Sequence, residues 1–203
     1  MIIGWDVSTS AIGICVKDDA GKTLEFATLF PIGITHALKH RDAAYRVKCF
    51  IEKYLKIMHP DAKFVHVIEE RLGGFTGGLT TKQTLMALAA MNAVISFVLA
   101  DSGKVIHLAP VTTKRITGLI VPKGGNKKEE VIKLVRSREP TFPYFETKSG
   151  NYVKGTDDMA DAWLLAEAMV MVNDGRATVG QSKKASSNKN KTRRPKSTVN
   201  PKG

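Results

Sequence analysis

The sequence predicts an α/β fold with one mixed five-stranded sheet, its first three strands antiparallel, flanked by helices. Three observations predict it. Five short runs have strand character, the helical patterns fall only after the third of them, and 203 residues at 43% hydrophobic suit a single domain with a full core.

Ile2 to Asp6 is the first β-type run, and Ala11 to Lys17 (AIGICVK) the second, joined by the small-residue turn VSTS. DDAGK reads as a hairpin turn into the third run, Thr23 to Phe30. From His36 to His59, apolar residues including Leu38, Val47, Ile51 and Leu55 recur at three- and four-residue spacing, which makes an amphipathic helix ended by Pro60. Phe64 to Glu69 (FVHVIE) is a fourth strand that ends in acid. After the loop ERLGGFTGGLT a helix is expected from Thr81 to Asp101; it is apolar nearly all round and must be buried on more than one side. Val105 to Ala109 is the fifth strand, Glu129 to Arg138 a helix and Asp158 to Val172 the last helix.

Composition narrows the function classes. Cys15 and Cys49 are far apart and match no zinc spacing, so reduced thiols and an intracellular, cytoplasmic protein are expected. The N-terminus MIIGWDVS lacks a basic stretch followed by an apolar one. The most apolar run, Leu85 to Ala100, is interrupted by Asn92 and Ser96 and reads as too short to span a bilayer, so no membrane partner is expected. The formal net charge is +12, and the segment after Asp174 supplies nine Lys or Arg and no acid. Residues 1–173 are therefore expected to form the globular domain, and subtracting those nine charges leaves the rest of the chain only mildly basic, at about +3. Residues 174–203 form a basic tail, rich in Ser, Asn, Thr and Pro, that is expected to be disordered and to suit a polyanion partner.

Within this basic chain the stretch GTDDMADAWLLAEAM places Asp157, Asp158 and Asp161 on the opening turns of an otherwise apolar helix. Thr156 or Asp157 would serve as N-cap, and acids there complement the helix dipole. Capping accounts for one aspartate well and a second tolerably; a third adds repulsion. Strand one ends near Asp6 and strand four at Glu69, and if these strands are parallel neighbours the two carboxylates share one edge of the sheet, where the last helix can join them. Clustered carboxylates repel unless a cation sits between them, and hard Mg²⁺ or Mn²⁺ prefers oxygen ligands. Two such ions, roughly 4 Å apart, can activate water and stabilise the leaving oxygen in phosphodiester cleavage.

IGWDVSTSAIGICV, VIEE, KRITGLIVPKGGNKKEEVIKLV and DDMADAWLLAEA, in that order and spacing, resemble the RuvC Holliday-junction resolvases of the RNase H-like superfamily. The resemblance spans about residues 1–173 and implies a Mg²⁺-dependent endonuclease that cleaves four-way and other branched DNA in recombination and repair, acting as a homodimer. It puts the two-metal tetrad on Asp6, Glu69, Asp158 and Asp161, with Mn²⁺ able to substitute. Asp157 is left as a cap or outer charge, and Glu70, on the opposite side of the pleat from Glu69, is not expected to bind metal. The resemblance gives catalytic places to Lys114 and Lys128. Lysines beside an acidic site admit a polyanion on charge grounds alone. Arg115, Lys123 and Lys127 extend that surface, and Arg71 and Phe75 on the loop after strand four complete the expected DNA-contacting set.

One position departs from the pattern. Cellular members carry an aromatic shortly after the strand-four Glu, and here the third position on is Leu72, with Phe75 the nearby aromatic. A looser nuclease for several branched DNAs, as in phage members, which would act in the bacterial host's cytoplasm, fits at least as well as a strict four-way junction resolvase. The opening I-G-x-D-x-S-T-S also resembles the phosphate hairpin of actin-like ATPases, but those need a second such domain. An RNase H acting on RNA–DNA hybrids and a non-catalytic nucleic-acid-binding module stay open as alternatives.

Overall fold

A computed structural model describes residues 1–70 and 81–179. Strands β1 (Ile2–Val7), β2 (Ile12–Lys17), β3 (Thr23–Leu29), β4 (Phe64–Glu69) and β5 (Gly103–Leu108) form one sheet in the order β3-β2-β1-β4-β5. The first three are antiparallel, whereas β1 with β4 and β4 with β5 are parallel. The expected architecture is therefore present, including the parallel pairing of the two strands that end in carboxylates.

The pleat sends alternate residues of β1 to two separate cores. Ile3, Trp5 and Val7 join Val47, Leu55, Met91 and Ile95 on one face, beneath α1 (His36–Phe50) and α3 (Lys82–Ala100). Ile2 joins Val67, Trp163 and Leu165 on the other, beneath α6 (Thr156–Asn173), which packs beside α4 (Pro110–Thr117) and α5 (Lys127–Arg138). The helix expected to run unbroken from His36 to His59 instead widens into a π-helical turn at Ile51–Leu55 before a last turn, α2 (Lys56–Met58). Both Ile51 and Leu55 stay buried through it.

Two polar networks lie inside the cores. Trp5 Nε1 donates to His66 Nδ1 at 3.1 Å, so the imidazole carries its proton on Nε2 and donates to Ser102 Oγ at 2.9 Å. Lys17, 1% exposed, is held at 3.0 Å by both Glu139 and Glu167, while Thr23 and Trp163 also donate to Glu139. Burial works against the Glu139 carboxylate, but these donors outweigh it and hold its pKa below the ordinary glutamate value. Breaking one partner of such a buried pair costs about 3–5 kcal/mol.

α3 departs from expectation in burial. It packs by one side, burying Ala87, Met91, Asn92, Ile95 and Leu99, and turns Met86 and Phe97 to solvent at 64% and 75% exposure. By length and composition its 19 residues are apolar enough to cross a membrane, which corrects the expectation drawn from the apolar run Leu85 to Ala100 alone. Beyond α6 the chain folds back, with the Ala177 N–H on the Met171 carbonyl and Arg115 Nη2 donating to the Thr178 carbonyl at 3.1 Å. Of the tail expected to be disordered over residues 174–203, residues 174–179 are described and make these bonds, and residues 180–203 lie outside the described residues.

Candidate metal and nucleic-acid site

β1 and β4 pair in parallel up to Trp5 opposite Ile68, so Asp6 and Glu69 each follow the last paired residue of two neighbouring strands. Ile2 and Val67 both belong to the core under α6, and the two-residue period carries Asp6 and Glu69 to that same face. Two contacts fix the ends of these strands. Ser8 Oγ closes the turn after β1 by accepting from the Ala11 N–H at 3.0 Å. Asn92 of α3 reaches under β4 and donates to the Glu69 carbonyl at 3.1 Å. Sequence reading took Asn92 only as an interruption in an apolar run; its burial against a strand end that carries an acid is its function here.

α6 approaches the same edge backbone to backbone. Gly13 is the register partner of Asp6, and a Cβ added to it would stand 2.0 Å from the Asp158 carbonyl oxygen; one on Gly4 would meet the Ala162 carbonyl equally closely. Only glycine permits that approach, and it brings the opening turns of α6 over the ends of β1 and β2. Asp158 and Asp161, three residues apart, share a helix face, and Asp157 lies one turn before Asp161. The N-cap is Gly155, in a left-handed conformation and with no side-chain cap, which corrects the expectation that Thr156 or Asp157 would fill that role. Thr156 is instead the buried first residue of the helix.

Burial and neighbouring charge act together on these aspartates. Burial, then repulsion from Asp157, pushes Asp158 up to about 6, with Lys128 opposing the rise. Burial also raises Asp161, against the pull of Lys127. The N-terminus of α5, capped by Asn126, supplies the counter-charges: Lys127 Nζ lies 3.5 Å from Asp161 Oδ2, and Lys128 is paired with Asp157. That pairing, first as a hydrogen bond, raises the Lys128 pKa. Lys114 of α4, Lys127, Glu69 and Asp161 border one narrow cleft.

The structure thus brings Glu69, Asp161, Lys114 and Lys127 together and places Asp6 and Asp158 on the same edge. Asp157 and Lys128 form an outer pair. Lys123 is exposed in the loop before α5, and Arg115 turns toward Thr178, away from the cleft. Glu70 is exposed, its N–H bonded to the Leu108 carbonyl. Arg71 and Phe75 lie outside the described residues. α4 itself went unforeseen, although Pro110 at its first turn and a left-handed Gly118 at its end are a start and a stop signal.

All four candidate ligands are hard oxygen donors and suit Mg²⁺ or Mn²⁺, and both Asp158 and Asp161 are raised first by burial and further by the neighbouring Asp157. Among the described residues, however, no three His, Cys, Asp or Glu side chains converge closely enough to hold an ion. The donor chemistry fits a metal; the coordination sphere is not closed, with lysines Lys127 and Lys128 lying on Asp161 and Asp157. His36 and His40, one turn apart on α1 with rings 6.3 Å apart, gain no third ligand either.

No family model matches the chain, and no curated protein does. Solved structures match by shape. Thermus thermophilus RuvC in complex with a Holliday junction substrate aligns over 86% of this chain and 95% of its own, with TM-score 0.59 and 13% identity. A second T. thermophilus RuvC structure aligns over 86% and 96%, with TM-score 0.53 and 15% identity. The yeast mitochondrial Holliday junction resolvase Ydc2 aligns over 83% and 77%, with TM-score 0.53 and 11% identity. At these identities the likeness is one of fold: the chain has the RuvC-type, RNase H-like fold that the motifs implied.

Proposed function

We propose that the protein is a divalent-metal-dependent, structure-selective DNA endonuclease that cleaves four-way junctions and other branched DNA. One observation carries the reading: Glu69 and Asp161 face a cleft rimmed by Lys114 and Lys127, on the sheet edge where Asp6 and Asp158 also end, in a fold shared with proteins that act on Holliday junctions. A cation held by Asp6, Glu69, Asp158 and Asp161 would supply a nucleophilic water and stabilise the leaving oxygen. The chain's own groups do the rest. Lys127 and Lys128 neutralise the aspartates before DNA arrives, and they exchange a carboxylate for a phosphate when the backbone enters. Lys114 stays on the rim and orients the phosphate.

Cutting two strands symmetrically calls for two such sites, and the solvent side of α3 offers the interface: Met86, Ala90, Ala93 and Phe97 recur at spacings of four, three and four and are exposed. A second copy of the chain, rather than a lipid bilayer, covers this stripe. Asn92 on the opposite side is committed to β4 and Leu99 to the core, so the helix cannot leave the sheet without breaking the fold.

The test is incubation of the purified full chain with Mg²⁺ or Mn²⁺ and end-labelled four-way, three-way, flap, RNA–DNA hybrid and linear substrates. Cleavage of the branched DNAs, abolished by EDTA, is the expected result. Cutting of the hybrid alone would make it an RNase H, and binding without any cutting would make it a recognition module.

A further inference from the structure

β3 passes to α1 through Phe30-Pro31-Ile32-Gly33-Ile34-Thr35, and this loop leaves the sheet at the carboxylate edge. Thr28, Gly13 and Asp6 are level across three strands, so Thr28 stands two strand spacings, about 10 Å, from Asp6. The loop that follows is apolar where loops are ordinarily polar. Ile34 is 96% exposed and Ile32 67%.

The exposure is built into the fold. The Ile32 N–H donates to Asp42 Oδ2 at 2.8 Å, and Arg46 holds that carboxylate at 2.6 Å. Thr35 caps α1 by accepting from the Leu38 N–H. Gly33 lies so close to the first turn of α1 that a Cβ there would meet the Lys39 nitrogen at 2.7 Å. At its other end, Phe30 lies under the Lys154 ammonium, 4.8 Å from the ring centre, beside Gly155 at the start of α6. The two isoleucines therefore project from a tip braced against both α1 and the site helix.

What covers such a tip is decided by its surroundings. From Phe30 to Arg46 the one acid is Asp42, already held by Arg46, while the same stretch carries Lys39, Arg41 and two histidines, and α1 has no acid in its first turn. Lys154 flanks the other side. An apolar tip with an excess of cations around it, on a loop that leaves the sheet at the end where the carboxylates lie, matches unpaired nucleobases bordered by their phosphates. A protein partner would need an acidic rim to match, and it would block the edge that the DNA must reach.

We propose that Ile32 and Ile34 are a wedge that enters the branch point and keeps the bases beside the scissile phosphate unstacked, with Lys39 and Lys154 on the flanking phosphates. The inference rests on the nuclease reading and names the element that selects branched over linear DNA. Apolar side chains inserted between base steps pay for unstacking through the surface they cover, and β-branched isoleucine is stiff enough to hold the gap open.

The experiment uses the full chain and a four-way junction with 2-aminopurine in a branch-point pair, in Ca²⁺ for binding and in Mg²⁺ for cutting. Wild type is expected to raise the fluorescence on binding. The Ile32→Ser/Ile34→Ser double variant, both positions being exposed, keeps its Tm and loses most of that rise, and Ile32→Val/Ile34→Val, which keeps the β-branch, restores it. Cleavage by the serine variant falls about tenfold or more in kcat on the paired junction, and returns to within about threefold of wild type when the branch-point pairs are mismatched. The wedge is overturned if the serine variant raises the fluorescence like wild type, cuts the paired junction at the wild-type rate, or loses both substrates equally. A wild-type protein that raises fluorescence but cuts nothing overturns the nuclease reading and leaves the wedge standing. One that cuts without raising fluorescence does the reverse.

Discussion

Gly13 and Asp158 touch through their backbones: a methyl group on Gly13 would stand 2.0 Å from the Asp158 carbonyl oxygen. The contact sets the height of α6 over the sheet and so brings Asp158 level with Asp6, the register partner of Gly13. Gly13→Ala must push the helix outward. A loss of about 2–3 kcal/mol in urea unfolding, with cleavage abolished, is expected. A variant with wild-type stability and activity would show that the helix does not dock on this strand.

The carboxylates separate catalysis from charge pairing. Asp158→Asn or Asp161→Asn is expected to reduce Mg²⁺-dependent cleavage by about a hundredfold or more, while junction binding in a gel-shift assay survives or tightens because a negative charge beside the phosphate is gone. Asp157→Asn loses only its half-exposed pair with Lys128, worth less than about 1 kcal/mol, and keeps near-normal cleavage. An inactive Asp157→Asn beside an active Asp158→Asn would move the metal site by one residue.

Assembly tests the exposed side of α3. Ala90→Glu and Phe97→Asp both place charge on that stripe without touching the buried one. Light scattering is expected to show a dimer for wild type and a shift to monomer for either variant. A wild-type monomer with full junction-cutting activity would remove the dimer from the mechanism.

Removing residues 180–203 takes away eight Lys or Arg while keeping Ala177 and Thr178, which bond to Met171 and Arg115. Affinity is expected to fall and the dependence of log Kd on log salt to flatten, with the cut position unchanged. A displaced cut site would give the tail a part in recognition.

His66 makes the fold sensitive to acid. Burial depresses its pKa from 6.5 to about 4. Unfolded chains take up the proton near pH 6.5 and folded ones only near 4, so stability is lost as pH falls through that window, by a total on the order of 3 kcal/mol. Urea midpoints measured from pH 7.5 to 4.5 are expected to drop, and His66→Gln to drop less over the same range.

Periodicity made most of the fold legible. β4 is bounded by Phe64 and Glu69 as read, and β1, β2, β3 and the long helices fall within a few residues of expectation. Two elements escaped. In α4 the run Val111, Thr112, Thr113, Ile116, Thr117 is β-branched and disfavours a helix locally, so packing on α6 had to override propensity. The π turn at Ile51–Leu55 leaves the three- and four-residue spacing intact and is invisible to it.

That Asp6 and Glu69 lie at strand ends and that Asp157, Asp158 and Asp161 open a helix could be read along the chain, because two- and 3.6-residue periods are local properties of it. Tertiary structure alone decided that these ends meet. The parallel pairing of β1 with β4, the approach of α6 at Gly13, the hold of Asn92 on Glu69 and the pairing of Lys127 with Asp161 join residues from 23 to more than a hundred positions apart. It also decided that Ile32 and Ile34 face outward, since a short apolar loop reads the same whether the fold covers it or leaves it bare. Such relations depend on how whole elements pack, and no periodicity within any one of them records it.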